Sequence, residues 1–455
     1  MASFKIDKGM DIPLAGAPRP EIADATHAER VAICPTEFAG VKPRLMAKEG
    51  DRVARGAPLF HDKKNPAFQV CAPASGTVVA VEYGARRVIQ RIEIEVDGDE
   101  REAFPAHELH QISALARQDL LDLLLKSGLL ALVRQRPFGK MADPESKPKS
   151  IFVNGMASAP FRTRLEVAVQ GQEAAFQAGL CALKRLTDGP VRLILPGGRD
   201  DLPKVLTQAP GADLHTFQGP HPAGNTSVHI HHLDPVLPGD VVWTIDGVDL
   251  LVIGQFLLEG LLPEHRIVAL GGPGVKDVAQ KHFRMHAGGS LRPLFDHALK
   301  EGELRVVSGD ALSGAPVPAD GYLPFRAPGF TVLSEDRTRR FIGWLDPGKD
   351  LFSHSRTFLS SWLSNHRKWA LGTNENGGHR AMVLTGLYDR YMPMQIMVDY
   401  LVRAVLANDT DEAIKHGILE TLPEDFGLCT FVCPSKTDVG GIIGRGLEMI
   451  EKEGI

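Results

Sequence analysis

Over roughly the first hundred residues, short β-branched and apolar runs alternate with turn residues. Segments 47–59, 70–81 and 88–96 read as strands, and glycines at their ends permit the positive φ of tight turns. From about residue 105 the period changes. Ile112, Leu115, Ala116, Leu120, Leu123 and Leu124 fall at helical spacing, with Gly128 placed as a C-terminal cap. Segment 151–153 reads as a strand and 174–186 as a helix. Segment 191–195, bounded by Gly-Pro and Pro-Gly-Gly, reads as a buried parallel strand. Segments 241–245 and 266–270 have the same character, with a helix between them. Strands alternating with helices imply an α/β sheet. Short strands and Gly/Pro turns then return at 266–270, 304–308, 330–333 and 341–344, predicting a small β-rich unit. The remainder predicts helices at 394–407, 410–416 and 442–453.

This pattern divides the chain into a β domain over 1–104, an α/β domain over 105–260, a small β-rich domain over 261–345 and a helical C-terminal segment over 346–455. A length of 455 residues accommodates about three domains. The composition, 43% hydrophobic and 24% charged, is that of a globular protein. A net charge of -5 argues against a nucleic-acid partner, because phosphate backbones require a basic surface. The most apolar stretch, 241–262, carries Asp246, Asp249 and Glu259, so no membrane span is expected and any membrane contact would come through partners. The N-terminus has no charged segment followed by an apolar one, so no signal peptide is expected. Five cysteines, an odd number, fit a reducing compartment.

Candidate chemistry is sparse. No G-x-G-x-x-G is present, although close backbone approach to a dinucleotide phosphate needs glycines. Gly271-Gly272-Pro273-Gly274-Val275-Lys276 follows a strand but fits neither that motif nor a P-loop, and reads as a tight turn. In Arg134-Gln135-Arg136-Pro137-Phe138-Gly139-Lys140, the side chains of Arg136, Pro137 and Phe138 would crowd a phosphate. A ferredoxin run C-x2-C-x2-C-x3-C-P ending on Cys433-Pro434 puts Pro423, Phe426, Cys429 and Cys433 at the four ligand positions, so two of the four cannot bind iron. His229 and His231 would share one face of a strand, as zinc ligands can, yet no second cluster completes a site. Hydrogen-bonded histidines at a domain junction are the plainer reading.

In the N-terminal domain, Gly50-Asp51-Arg52-Val53-Ala54-Arg55-Gly56 followed by Ala72-Pro73-Ala74-Ser75-Gly76-Thr77-Val78 resembles a biotinyl/lipoyl carrier, a flattened barrel of two such halves. Lys63 and Lys64 lie where carriers hold the modified lysine. The longer loop and Pro66 favour a docking module over an acylated one.

Longer strings resemble one family throughout the chain. Lys8-Gly9-Met10-Asp11-Ile12-Pro13-Leu14-Ala15-Gly16-Ala17-Pro18, the stretches 62–66, 219–224, 229–235 and 267–276, Ser355-Arg356-Thr357-Phe358-Leu359-Ser360 and Leu428-Cys429-Thr430-Phe431-Val432-Cys433-Pro434 are similar to the A-type subunit of the sodium-translocating NADH:quinone oxidoreductase, Na+-NQR. The resemblance implies a barrel-sandwich hybrid domain, a Rossmann-like domain without its glycine fingerprint, a small ubiquitin-like or SLBB-type domain and a helical segment with a degenerate ferredoxin motif. It implies a peripheral protein on the cytoplasmic face of a bacterial inner membrane, with five partner subunits. FMN, FAD, riboflavin and the iron–sulfur centres would lie on those partners, and this chain would hold no redox cofactor. The family is also linked with quinone. Carried onto this sequence, the candidates are Thr36 and Phe38 in 34–40, and Arg136, Phe138 and Lys140 in 136–140. The phenylalanines would form an apolar slot and Thr36, Arg136 or Lys140 would donate to quinone carbonyls.

Overall fold

A computed structural model describes residues 2–338, 343–363, 367–383 and 385–454. The N-terminal barrel is built from two sheets. One orders strands Arg30–Ile33, Ile89–Val96, Gly76–Tyr83 and Arg52–Val53; the other orders Pro43–Leu45, Pro58–Asp62 and Gln69–Cys71. The alternation legible in the sequence sets the inside of the barrel. Ile92 and Ile94 are fully buried, whereas Glu95 faces solvent. Leu59, Phe60, Phe68 and Val78 close the same core.

A seven-stranded sheet follows, in the order Ser3–Lys5, Asp213–Gln218, Val191–Pro196, Ser150–Asn154, Val242–Asp246, Arg134–Arg136 and Lys140–Met141. Its centre is parallel. Ser150–Asn154 pairs with Val191–Pro196 on one side and Val242–Asp246 on the other. Both flanks of the central strand are covered, so Ile151, Phe152 and Val153 are all buried. Helices Glu173–Leu186 and Gly247–Glu259 cross closely on one face. A Cβ on Gly254 would strike the Ala175 carbonyl oxygen, so only glycine permits this approach. The helix expected over 112–124 is interrupted, forming Leu109–Ile112 and Arg117–Lys126, and Gly128 adopts φ 78° just beyond.

The third sheet orders Ala315–Val317, Leu304–Ser308, Phe330–Ser334, His265–Gly271, Lys281–His286 and Ile22–Asp24. Strand 266–270, read both as one of the buried α/β strands and as the first strand of the small β-rich unit, belongs to this third sheet. It runs antiparallel to Lys281–His286 along its length. The strand expected at 341–344 falls partly outside the described residues, and Gly343–Leu345 at its end is a 3-10 turn. Two N-terminal strands leave the barrel: Ser3–Lys5 pairs with Asp213–Gln218, and Ile22–Asp24 with Lys281–His286. The chain start thus ties the other two sheets together.

Helices Val398–Leu406, Thr410–Lys415 and Val439–Glu453 pack with Tyr388, Phe426, Cys429 and Cys433 in a second core, which also includes Ile6, Phe152 and Phe217 from the α/β sheet. No helix among the described residues is long and apolar enough to cross a membrane.

Candidate functional site

The five sequence-predicted site residues fall in separate surroundings. Pro35–Glu37 forms a 3-10 turn at the barrel rim, with Thr36 exposed. Phe38 is only 6% exposed, and its ring lies 4.9 Å from Phe325, 5.9 Å from Phe60 and 6.2 Å from Phe68. It belongs to the first core. Phe138 is half-buried and packs against the second core. The two phenylalanines therefore do not line one slot.

Arg136, Phe138 and Lys140 share a hairpin whose turn holds a cis Arg136–Pro137 bond and Phe138 at φ 56°. Gln135 pairs with Lys140 across the hairpin, so those two share a face and Arg136 points to the other. Lys140 Nζ reaches the Glu451 carboxylate at 2.5 Å, beside the C-terminal helix. The Arg136 guanidinium is buried and donates to Ser227 Oγ at 2.8 Å.

The histidine segment corrects the strand expectation. Residues Thr226–Leu233 form a helix, opened by Asn225. His229 and His231 therefore diverge around its axis. His229 Nε2 donates to the Ala223 carbonyl at 2.9 Å, and burial pushes its pKa down to about 3. His231 accepts from the Gln395 amide at Nε2, so its Nδ1 carries the proton given to Glu420 at 2.6 Å. Among the described residues no group of three or more His, Cys, Asp or Glu side chains is placed to hold a metal. In the ferredoxin register Pro423 opens a 3-10 turn and Phe426 is fully buried, and neither brings a donor. The Cys433 thiol accepts from Tyr388 at 3.0 Å, while burial pushes the Cys429 thiol far up.

A cleft with no local sequence signature lies at the carboxyl ends of Ser150–Asn154 and Val242–Asp246. From the central strand the chain first builds outward through Val191–Pro196 to Asp213–Gln218, then returns to add Val242–Asp246 on the opposite side. Where the order reverses, the loops part and leave a crevice. Arg134, Arg136, Arg162 and Arg326 line it with Asp246 and Glu424. Arg162 pairs with Asp246 at 2.8 Å. Burial works to raise Glu424, but Arg134, Arg136, Arg162 and Arg326 outweigh it and hold the carboxyl below its usual value. Its neighbour Asp425, also buried, is pushed up to about 6, first by burial and then by Glu424. Only the i, i+2 spacing of Arg134 and Arg136 in a strand hinted at this cluster; the other members come from distant loops.

Family models match the three domains in order. The NqrA N-terminal barrel-sandwich hybrid domain matches residues 4–97, the NqrA second alpha/beta domain residues 115–262, and the NQRA C-terminal domain residues 267–318. The NqrA protein of the Na(+)-translocating NADH-quinone reductase of Yersinia pestis bv. Antiqua (strain Angola) is 40% identical over 452 residues, covering 99% of this chain and 100% of that one. Its counterpart from Klebsiella pneumoniae (strain 342) is 41% identical over 454 residues, with 99% and 100% covered. Among solved structures, an NAD+-reducing nickel–iron hydrogenase covers 52% of each chain at 14% identity and a TM-score of 0.35, too slight a likeness to bear on this protein. Matches to successive domain models and to full-length relatives agree: the chain belongs to the NqrA family of Na(+)-translocating NADH-quinone reductase subunits.

Proposed function

We propose that this chain is the redox-silent peripheral subunit of a sodium-translocating NADH:quinone reductase. It docks on five other subunits on the cytoplasmic face of the membrane. FMN, FAD, riboflavin and the iron–sulfur centres reside on those partners, which oxidise NADH and move sodium. The observation that carries this reading is similarity across whole chains, 99% of this one and 100% of the relatives. The ferredoxin register supports the cofactor-free part, because Pro423 and Phe426 cannot ligate iron.

Quinone contact is assigned to the hairpin turn. The half-buried ring of Phe138 offers an apolar wall, and the Lys140 ammonium has three donors against one paired carboxylate. Arg136, turned into the cleft, serves this site only by fixing the turn. A second reading places the ring at Thr36 and Phe38, favoured by the convergence of Phe38, Phe60, Phe68 and Phe325 at the barrel rim.

Quinone affinity of the intact complex tests the assignment. Phe138→Ala with Lys140→Ala should raise the quinone KM about tenfold, while Phe38→Leu should leave it unchanged. The reverse pattern moves the site to the barrel rim. Unchanged affinity in both removes quinone from this protein.

A further inference from the structure

We propose that the arginine-lined cleft at the switch point of the seven-stranded sheet is an anion site that takes a phosphate group. This goes beyond the quinone reading and stands without it.

The first argument is position. In open α/β sheets, ligands sit in the crevice outside the carboxyl ends of the strands where the order reverses. Asn154 and Asp246, the last residues of the two diverging strands, both line this cleft. The cleft opens to solvent between these strand ends. The helix Thr226–Leu233 begins at the same wall, and Thr226 at its first turn is a lining residue.

The second argument is charge. Four guanidiniums face two carboxylates, those of Asp246 and Glu424, leaving a formal excess of two positive charges. A cationic lining of this kind attracts an oxyanion. Behind this lining, Asp249 lies within ion-pair distance of both Arg266 and Arg326, and Asp425 and Asp310 accept hydrogen bonds from neutral amides.

The third argument is unused donors. Arg136 is 2% exposed, and its Nε has no hydrogen-bond partner. The Nε atoms of Arg134 and Arg326 are likewise buried and unpartnered. Arg134 forms no side-chain hydrogen bond or ion pair among the described residues, whereas Arg326 keeps one ion pair, with Asp249 at 3.8 Å. Arg134 and Arg136 stand two apart in one strand and so present their forks to the same side. A network built only for structure would give each buried guanidinium a carboxylate, because an unpaired one is costly. Planar forks with spare N–H groups are the geometry that grips tetrahedral oxyanions.

The test uses the purified full-length chain. Inorganic phosphate and a nucleoside 5′-monophosphate are each titrated against sodium chloride of matched ionic strength, following melting temperature and binding heat. Phosphate should give a saturable rise of about 2–4 °C beyond chloride. The Arg134→Gln, Arg326→Gln variant should melt no lower than wild type without phosphate and should lose the response. Should that variant fail to fold, Arg134→Lys keeps the charge without the fork and should weaken phosphate binding about tenfold. A nucleoside monophosphate midpoint well below that of inorganic phosphate assigns the group to a larger ligand; equal midpoints assign free phosphate. Both outcomes support the site. No phosphate-specific shift in wild type, or an unchanged midpoint in the variants, overturns it.

Discussion

The backbone amide of Phe325 donates to Glu37 Oε2 at 2.6 Å, and the ring of the same residue lies 4.9 Å from that of Phe38. The barrel rim is thereby bolted to the loop that precedes the strand Phe330–Ser334. Phe38 is a packing residue in this joint. Phe38→Ala should cost about 3–5 kcal/mol of stability through lost burial and the cavity left behind, and Phe38→Leu much less. Urea denaturation of the full chain measures it. A loss under about 1 kcal/mol would show that the ring is free to meet a ligand.

The Lys140–Glu451 pair spans the hairpin and the C-terminal helix, with side chains 43% and 33% exposed. Solvent screens a pair of this kind, so a double-mutant cycle on Lys140→Ala and Glu451→Ala should return about 1 kcal/mol or less. That small value makes Lys140 usable as a quinone probe without unfolding. A coupling above about 2 kcal/mol would mean that Lys140→Ala reports on docking of the C-terminal helix instead.

His229 sets an acid limit on stability. Its folded pKa is pushed down to about 3 by burial, while an unfolded histidine titrates near 6.5. As pH falls below about 6.5 the unfolded chain takes up a proton that the folded chain refuses until about 3. Stability from this group is thus intact above the unfolded pKa and is lost on acidification, by up to about 1.4 kcal/mol per pH unit. Asp425, pushed up to about 6, works in the opposite direction, so the comparison must isolate the histidine. Wild type should lose stability between about pH 6.5 and 4.5 more steeply than His229→Gln, by nearly one proton's slope. Parallel curves would contradict the assignment.

Lys63 and Lys64 sit in the exposed turn between strands Pro58–Asp62 and Gln69–Cys71, the place of the modified lysine in carrier domains. The Lys64 amide donates to Asp62 Oδ1 at 3.1 Å, closing a local turn. Mass spectrometry of the native protein should show Lys63 and Lys64 unmodified. A lipoyl or biotinyl mass increment on either lysine would restore the carrier reading.

Strong local patterns were legible in the sequence. The apolar run at 191–195, bounded by turns, had one stable use, a strand covered on both faces, and the structure places it there. The barrel strands and the three C-terminal helices were legible for the same reason. Strands of three residues were not. Ser3–Lys5 and Ile22–Asp24 carry too little pattern to reveal pairing with edges more than 200 residues away. His229-Ile230-His231 invited a period-two reading, but Asn225, just ahead of the segment, is a favoured helix N-cap, and helix prevailed. The arginine cleft was hidden because its charged members come from two strands, two loops and the C-terminal segment, so beyond the i, i+2 spacing of Arg134 and Arg136 the chain carries no trace of it.

The division of labour between this chain and its partners is tested most directly by removing it from the complex and adding it back. The depleted complex should still oxidise NADH with ferricyanide as acceptor. Its sodium-dependent quinone reduction should be lost and should return on adding the colourless purified chain. Loss of NADH oxidation on depletion, or a flavin or iron–sulfur absorbance in the purified chain, would contradict a redox-silent protein that serves the quinone step.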